Sequence, residues 1–216
     1  KNDPIIQIAQ KVRQGEKVPL GEYGSVTKFS RSDLGTKQEV EDILSNFSRD
    51  WLVLVGYNNS RLQLNQQIRQ FLGMQTEEPE QGDLIICLKN NYEKSIYNGM
   101  RGTIQTIRSL ENNGGIEKWY QIKAQMDNHK TYEGKVLKQQ FNHPKTIQRL
   151  PDIEYEQIGD LFDFGYVLTV HKAQGSQAPK VLLFEERFKR MNDKEWRRWL
   201  YTAVTRAEEK LVIIGE

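Results

Sequence analysis

The densest run of potential chemistry in this sequence is Thr169-Val170-His171-Lys172-Ala173-Gln174-Gly175-Ser176-Gln177. Thr, His, Lys, Gln and Ser all carry donors suited to phosphate or sugar. The run directly follows an apolar stretch that reads as a strand. Polar side chains and a glycine at the carboxyl end of a strand in an open α/β sheet form a ligand-binding crevice. The plainer reading is a self-satisfied turn with Gly175 in a left-handed conformation; the unbroken polar string favours the crevice. A second run is Leu200-Tyr201-Thr202-Ala203-Val204-Thr205-Arg206-Ala207. Its arginine ends a largely apolar helix just before a strand, which places it at a sheet edge. Its plainer role is as a helix-dipole partner or a surface ion pair. Metal chemistry finds little support. The single cysteine, Cys87, excludes an internal disulfide and a cysteine-rich zinc site, and the three histidines are widely separated.

Those side chains need a scaffold, and the sequence predicts one of alternating helices and strands. Ile5, Ile8, Ala9 and Val12 give Pro4–Gln14 a helical spacing closed by Gly15. Lys37–Phe47 repeats it with Val40, Ile43, Leu44 and Phe47. Trp51–Gly56 is a short continuous apolar run, as a buried parallel strand would be. A helix over Ser60–Leu72 follows, with Leu64, Ile68, Phe71 and Leu72 facing inward. Gly165–Val170 and Lys180–Phe184 read as strands, Asp193–Arg206 as a helix on Trp196, Trp199, Leu200, Ala203 and Val204, and Lys210–Ile214 as a last strand.

Between these parts the texture changes. Leu84–Leu88, Gly102–Ile107, Trp119–Ala124 and Lys135–Phe141 are short strand-like stretches separated by turn signals at Asn98-Gly99 and Asn112-Asn113-Gly114-Gly115. They predict a small antiparallel barrel or sandwich. The expected division is therefore an α/β domain over residues 1–81 and 151–216, split by a β insert over 82–150. The insert carries 11 Lys and Arg against 6 Asp and Glu, the remainder 20 against 23. That asymmetry points to an anionic partner for the insert, and Tyr92, Tyr97 and Trp119 could stack on bases there. With 37% hydrophobic and 28% charged residues in 216, and no apolar run near the roughly 20 residues a spanning helix needs, the expectation is a cytoplasmic protein with no membrane partner. No basic-then-apolar leader opens the sequence.

The two polar runs, in this order and followed by Leu211–Gly215, resemble motifs V and VI of superfamily 1 helicases. The nearer likeness is to the RecD-like and Dda-like branch (the exodeoxyribonuclease V alpha-subunit type), which moves 5′ to 3′ on single-stranded DNA. Tyr57-Asn58, Leu64-Asn65 and Arg69 resemble a segment of that family's second motor domain. Pro4-Ile5-Ile6 through Gly15 resemble its opening helix. Gly82-Asp83, Asn91, Asn98-Gly99 and Gly102 resemble its inserted Src-homology-3-type (SH3-like) barrel.

The resemblance implies an α/β fold, a RecA-like parallel sheet flanked by helices and interrupted by the barrel. It also implies roles. Arg206 would be an arginine finger, the catalytic residue this chain lends to ATP hydrolysis. Gly175 and Gln177 would join Arg206 at the ATP, and Asn58, Asn65, Thr169, His171, Lys172 and Ser176 would line the DNA groove. Gln177 stands where the branch has Glu, and Tyr57 where it has Thr.

The chain has no Gly-Lys-Ser/Thr phosphate loop and no acidic magnesium motif. Its one Gly-Lys, Gly134-Lys135, is followed by Val136. It is thus expected to be a fragment whose first motor domain lies upstream. ATP and Mg2+ would belong to the full-length protein, with none bound by this part alone. Its partners would be that domain, single-stranded DNA, and further repair or nuclease subunits. A non-catalytic nucleic-acid-binding or structural subunit on a degenerate helicase fold is the alternative.

Overall fold

The computed structural model describes residues 3–110, 117–151 and 153–216; the Asn112–Gly115 turn signal lies outside them. The chain forms two compact units, Lys1–Leu72 with Val167–Glu216, and Gly73–Tyr166. The expected barrel range, 82–150, falls inside the second.

The first unit is α/β. Its sheet runs in the order β1 (Gly21–Tyr23), β2 (Val26–Ser30), β11 (Ala207–Gly215), β10 (Ala178–Phe184), β3 (Trp51–Val55), β9 (Val167–Thr169). All pairs are parallel except β1 with β2. Every residue of β3 is buried, which is why it reads as an unbroken apolar run.

Helix α1 (Pro4–Gln14) forms where local chemistry dictates. The Asp3 side chain accepts from the Ile5 N–H at 2.8 Å, Pro4 opens the helix, and Gly15 closes it at φ 87°. Helix α2 (Leu34–Ser45) begins three residues earlier than its apolar spacing predicts, because Asp33 caps it through the Gly35 N–H at 3.0 Å. Helix α4 (Asp193–Val204) opens on a reciprocal cap between Asn192 and Glu195 and buries Trp199, Leu200, Ala203 and Val204.

Helix α3 (Asn58–Phe71) keeps Ile68 inward as predicted but otherwise turns polar residues to the core. It buries Arg61, Asn65, Ile68 and Arg69, and leaves Phe71 and Leu72 exposed. The strands β1 and β2 carry no apolar alternation to announce them. Lys28 is buried in β2 because its ammonium meets Glu185 at 2.8 Å.

The second unit is an antiparallel sheet in the order β7 (Thr131–Leu137), β6 (Trp119–Met126), β5 (Arg101–Leu110), β4 (Leu84–Cys87), β8 (Phe162–Phe164). A bridge from Val136 in β7 to Asp160, just before β8, joins the two ends of this order into a barrel. Ile85, Cys87, Ile104, Ile122, Tyr132, Val136 and Phe162 form its core. Burial there pushes the Cys87 thiol up to about 12. The apolar run 161–170, predicted as one strand from Gly165, feeds both sheets: Phe162–Phe164 pairs with β4 and Val167–Thr169 with β3. Among the described residues no helix is long and apolar enough to cross a membrane.

Candidate nucleotide and strand sites

Parallel pairing fixes where the polar run 169–177 travels. Strand β9 ends at Thr169 on the carboxyl edge of the sheet, level with Val55 of β3. Strand β10 starts at Ala178 on the amino edge, level with Ala207 of β11. The run must cross from one edge to the other, and it does so as a tight turn. The N–H groups of Lys172 and Ala173 donate to the Thr169 carbonyl at 2.9 and 3.1 Å, and that of Ser176 to the Ala173 carbonyl at 3.0 Å. Ala173 is fully buried and anchors the turn. Gly175 sits at φ 84°, and a Cβ there would meet nothing within 4 Å, so its backbone borders open space.

At the amino edge the two polar runs meet. The Arg206 guanidinium donates from Nη1 to the Ser176 carbonyl at 3.1 Å, from Nε to the Thr202 carbonyl at 3.0 Å, and from Nη2 to the Thr205 hydroxyl at 3.1 Å. Its own carbonyl accepts from the Ala178 N–H at 3.0 Å. Arg206 thus bonds the backbone of the run at Ser176, the residue between Gly175 and Gln177. Ser176, predicted with the strand-facing residues, has its backbone carbonyl beside Arg206.

The carboxyl edge holds a different set. Thr169 is 7% exposed at the end of β9, while His171 and Asn58 are exposed. Asn58 opens α3 and accepts from Arg61 Nε at 3.2 Å. Asn65, also predicted to face DNA, is 1% exposed. Its amide donates to the Val167 carbonyl at 3.2 Å and accepts from the Val167 N–H at 3.0 Å. It covers the outer edge of β9 as a further strand would, so it offers a bound strand no surface. Trp119, predicted as an exposed ring on the barrel, is buried with its indole N–H on the Ile158 carbonyl at 2.9 Å. Tyr92 and Tyr97 remain exposed, edge to face with centroids 5.9 Å apart.

Glu186 escapes sequence reasoning altogether. Its Oε2 accepts from the Gly56 and Tyr57 N–H groups at 2.8 Å each, and its Oε1 from the Ser60 hydroxyl at 2.6 Å. It therefore ties down the turn that enters α3 from 126 to 130 residues away, a separation at which no local signal exists. Tyr57 leans on the same loop, its hydroxyl on the Arg187 carbonyl at 3.1 Å and its ring edge-on to Phe188 at 4.8 Å. Beside His171 lies a hollow of about 560 Å³ that Gln174, Arg190, Arg198 and Trp199 also line. The buried indole N–H of Trp199 has no acceptor among the described residues.

Residues 164–214, which include both polar runs, match the UvrD-like helicase C-terminal domain. An uncharacterized protein of Methanocaldococcus jannaschii is 31% identical over 134 residues, covering 62% of this chain and 10% of that protein. Among solved structures, Pif1 helicase from Bacteroides in complex with ADP-AlF3 and ssDNA superposes with a TM-score of 0.56 at 16% identity, over 99% of this chain and 49% of that one. Pif1 helicase from Candida albicans does so at 0.55 and 14%, over 98% and 53%. The chain thus spans about half the length of these structures and a tenth of the curated relative. It shares the fold of these Pif1 helicase structures, and its residues 164–214 are similar to the UvrD-like helicase C-terminal domain.

Proposed function

We propose that this chain is one half of an ATP-driven DNA helicase that moves 5′ to 3′ on single-stranded DNA, with Arg206 as its arginine finger. The meeting of Arg206 with the Gly175–Gln177 backbone at one sheet edge carries this reading. All three of its bonded donors rest on neutral oxygens. A phosphate is the better acceptor, since charge-assisted hydrogen bonds are about twice as strong as neutral ones. The open backbone at Gly175 and the exposed Gln177 amide suit the remainder of a nucleotide. ATP bound there supplies the phosphoryl group whose transfer Arg206 would stabilise. Alone, the chain should not hydrolyse ATP.

Single-stranded DNA is assigned to the carboxyl edge, on Asn58, Thr169, His171 and Lys172. The hollow beside His171 suits a base, with Trp199 as a donor and the Arg190 and Arg198 charges nearby for phosphate. On the barrel, Tyr92 and Tyr97 offer a second stacking platform. The branch likeness behind the polarity rests on motifs V and VI, and Pif1, whose complexes hold ssDNA and a nucleotide, supports the pairing of these ligands through its fold alone. The test is His171→Ala in the full-length protein. It should weaken affinity for a dT oligonucleotide without nucleotide, by about fivefold for one lost hydrogen bond, with little change in the saturated ATPase rate. Unchanged affinity with a collapsed ATPase rate would overturn the assignment of the two edges.

A further inference from the structure

Helix α4 carries Lys194, Arg197, Arg198 and Tyr201 on one exposed face, at a spacing of three and four residues. With Arg13 of α1, which packs against α4, they line a hollow of about 530 Å³. Four of these five residues are cations, and no carboxylate is among the described residues that line it. The nearby acids are engaged elsewhere. Asp193 meets Arg187 at 2.6 Å, and Arg187, with a weaker pull from Arg197, holds its carboxyl below the usual range. Glu195 accepts from the Asn192 N–H at 3.0 Å. Among the described residues no carboxylate lies within ion-pair distance of Arg13, Lys194, Arg197 or Arg198. Tyr201, 38% exposed, ends the row.

This row is not what packs the helix. The other face of α4 does that, through Trp199, Leu200, Ala203 and Val204. Like charges three and four residues apart weaken a helix slightly, and an anion along the row would relieve that repulsion. With its apolar face buried, α4 has none to lay into a lipid surface. Guanidinium groups take phosphate through paired N–H groups, and the tyrosine ring offers a base a face to stack on. Position favours nucleic acid over an acidic protein. Arg198 lines this hollow and also the one beside His171, so the two adjoin. Helix α4 follows β10 and precedes β11, which are parallel, so it starts near the carboxyl edge, the one assigned to the strand. From Lys194 to Tyr201 the helix rises about 10 Å, the length of about three nucleotides of a stacked strand.

We propose that single-stranded DNA leaving the hollow beside His171 continues along α4, with its phosphates on Arg198, Arg197, Lys194 and Arg13 and one base on the Tyr201 ring. The proposal rests on the assignment of that hollow to the strand. It adds a second stretch of about three nucleotides to the bound length.

The test is the full-length protein with both Lys194→Gln and Arg197→Gln, set against a control with Lys37→Gln and Lys210→Gln. All four positions are exposed, and Gln forms helix about as well as Lys or Arg, so α4 persists. In the α4 variant, affinity for a dT oligonucleotide should fall about tenfold. The slope of log affinity on log salt should flatten by about 1.4, for two lost phosphate contacts on a single strand. The control should lose little affinity and keep its slope. An oligonucleotide carrying 5-bromouracil should photocrosslink to Tyr201. Equal losses and slopes in the two variants would overturn the proposal, as would crosslinks that never include Tyr201. A blocked hexaglutamate peptide that binds the unaltered protein, fails to bind the α4 variant and is not displaced by dT oligonucleotide would also overturn it, making the hollow a dock for acidic protein. His171→Ala separates the two levels. If it weakens dT binding and the α4 variant does not, the strand assignment stands and the extension along α4 falls. If neither weakens it, the strand assignment falls and the extension falls with it.

Discussion

The two edges of the parallel sheet hold their hydrogen-bond donors in opposite states. At the amino edge, Arg206 spends its bonded donors on two carbonyls and a hydroxyl. Those bonds hold the side chain in place without neutralising it. At the carboxyl edge, the N–H groups of Gly56 and Tyr57, just before α3, would be a ready place for an anion, yet the Glu186 carboxylate already fills it. On the proposed reading one edge awaits an anion from outside, whereas the other has taken one from within. A residue type in a sequence therefore names a donor without saying whether that donor is available.

The sharpest way to break this comparison is at Arg206. If its guanidinium acts on a phosphate, Arg206→Ala in the full-length protein should lower kcat for ATP hydrolysis by about 10³-fold or more. DNA affinity without nucleotide should change little, because its bonds run to Ser176, Thr202 and Thr205 and not to the four residues proposed for the strand. Steady-state ATPase and fluorescence anisotropy on one preparation check both. A loss of DNA binding with the ATPase rate kept would move Arg206 into the strand groove. Next in size is Asn65→Ala. It strips the Val167 N–H and carbonyl of their outer partner and should cost about 2–3 kcal/mol, the cost of buried backbone groups left unpaired. Urea denaturation followed by tryptophan fluorescence measures this. A cost below about 0.5 kcal/mol would mean that water reaches the edge of β9 and that Asn65 is available to a ligand.

What could be read from the sequence was what its neighbours in the chain decide. Asp3, Pro4 and Gly15 fix α1 within a few residues, and an unbroken apolar run fixes β3. The two polar runs were legible as chemistry for the same reason, being contiguous. What failed depended on distant partners. Phe71 and Leu72 read as the inner face of α3, but Asn65 bonds to Val167, 102 residues away, and helps set the helix's rotation instead. Ser176 read as part of one crevice with Thr169, because a sequence does not show that seven residues suffice to cross the sheet. Strand β2 was silent because Lys28, which should face water, meets Glu185.

The smallest effect is the most specific to the carboxyl edge. Glu186→Gln keeps an acceptor in place but removes the charge from the start of α3. Stability should fall by about 0.5–1 kcal/mol, the usual worth of a carboxylate at a helix N-terminus. The same change leaves only a neutral amide on the Gly56 and Tyr57 N–H groups, which a phosphate would displace, so dT oligonucleotide affinity should rise about threefold. Removing any carboxylate would raise affinity slightly through the long-range field, so a matched change is needed. Glu208→Gln serves, being exposed and close to the amino end of β11. A long-range effect is screened by salt in both variants alike. A new phosphate contact instead steepens the dependence of log affinity on log salt by about 0.7 for a single strand, and only in Glu186→Gln. Equal gains and equal slopes in the two variants would mean that Glu186 is a structural cap alone. The carboxyl edge would then bind DNA through its side chains, without the helix.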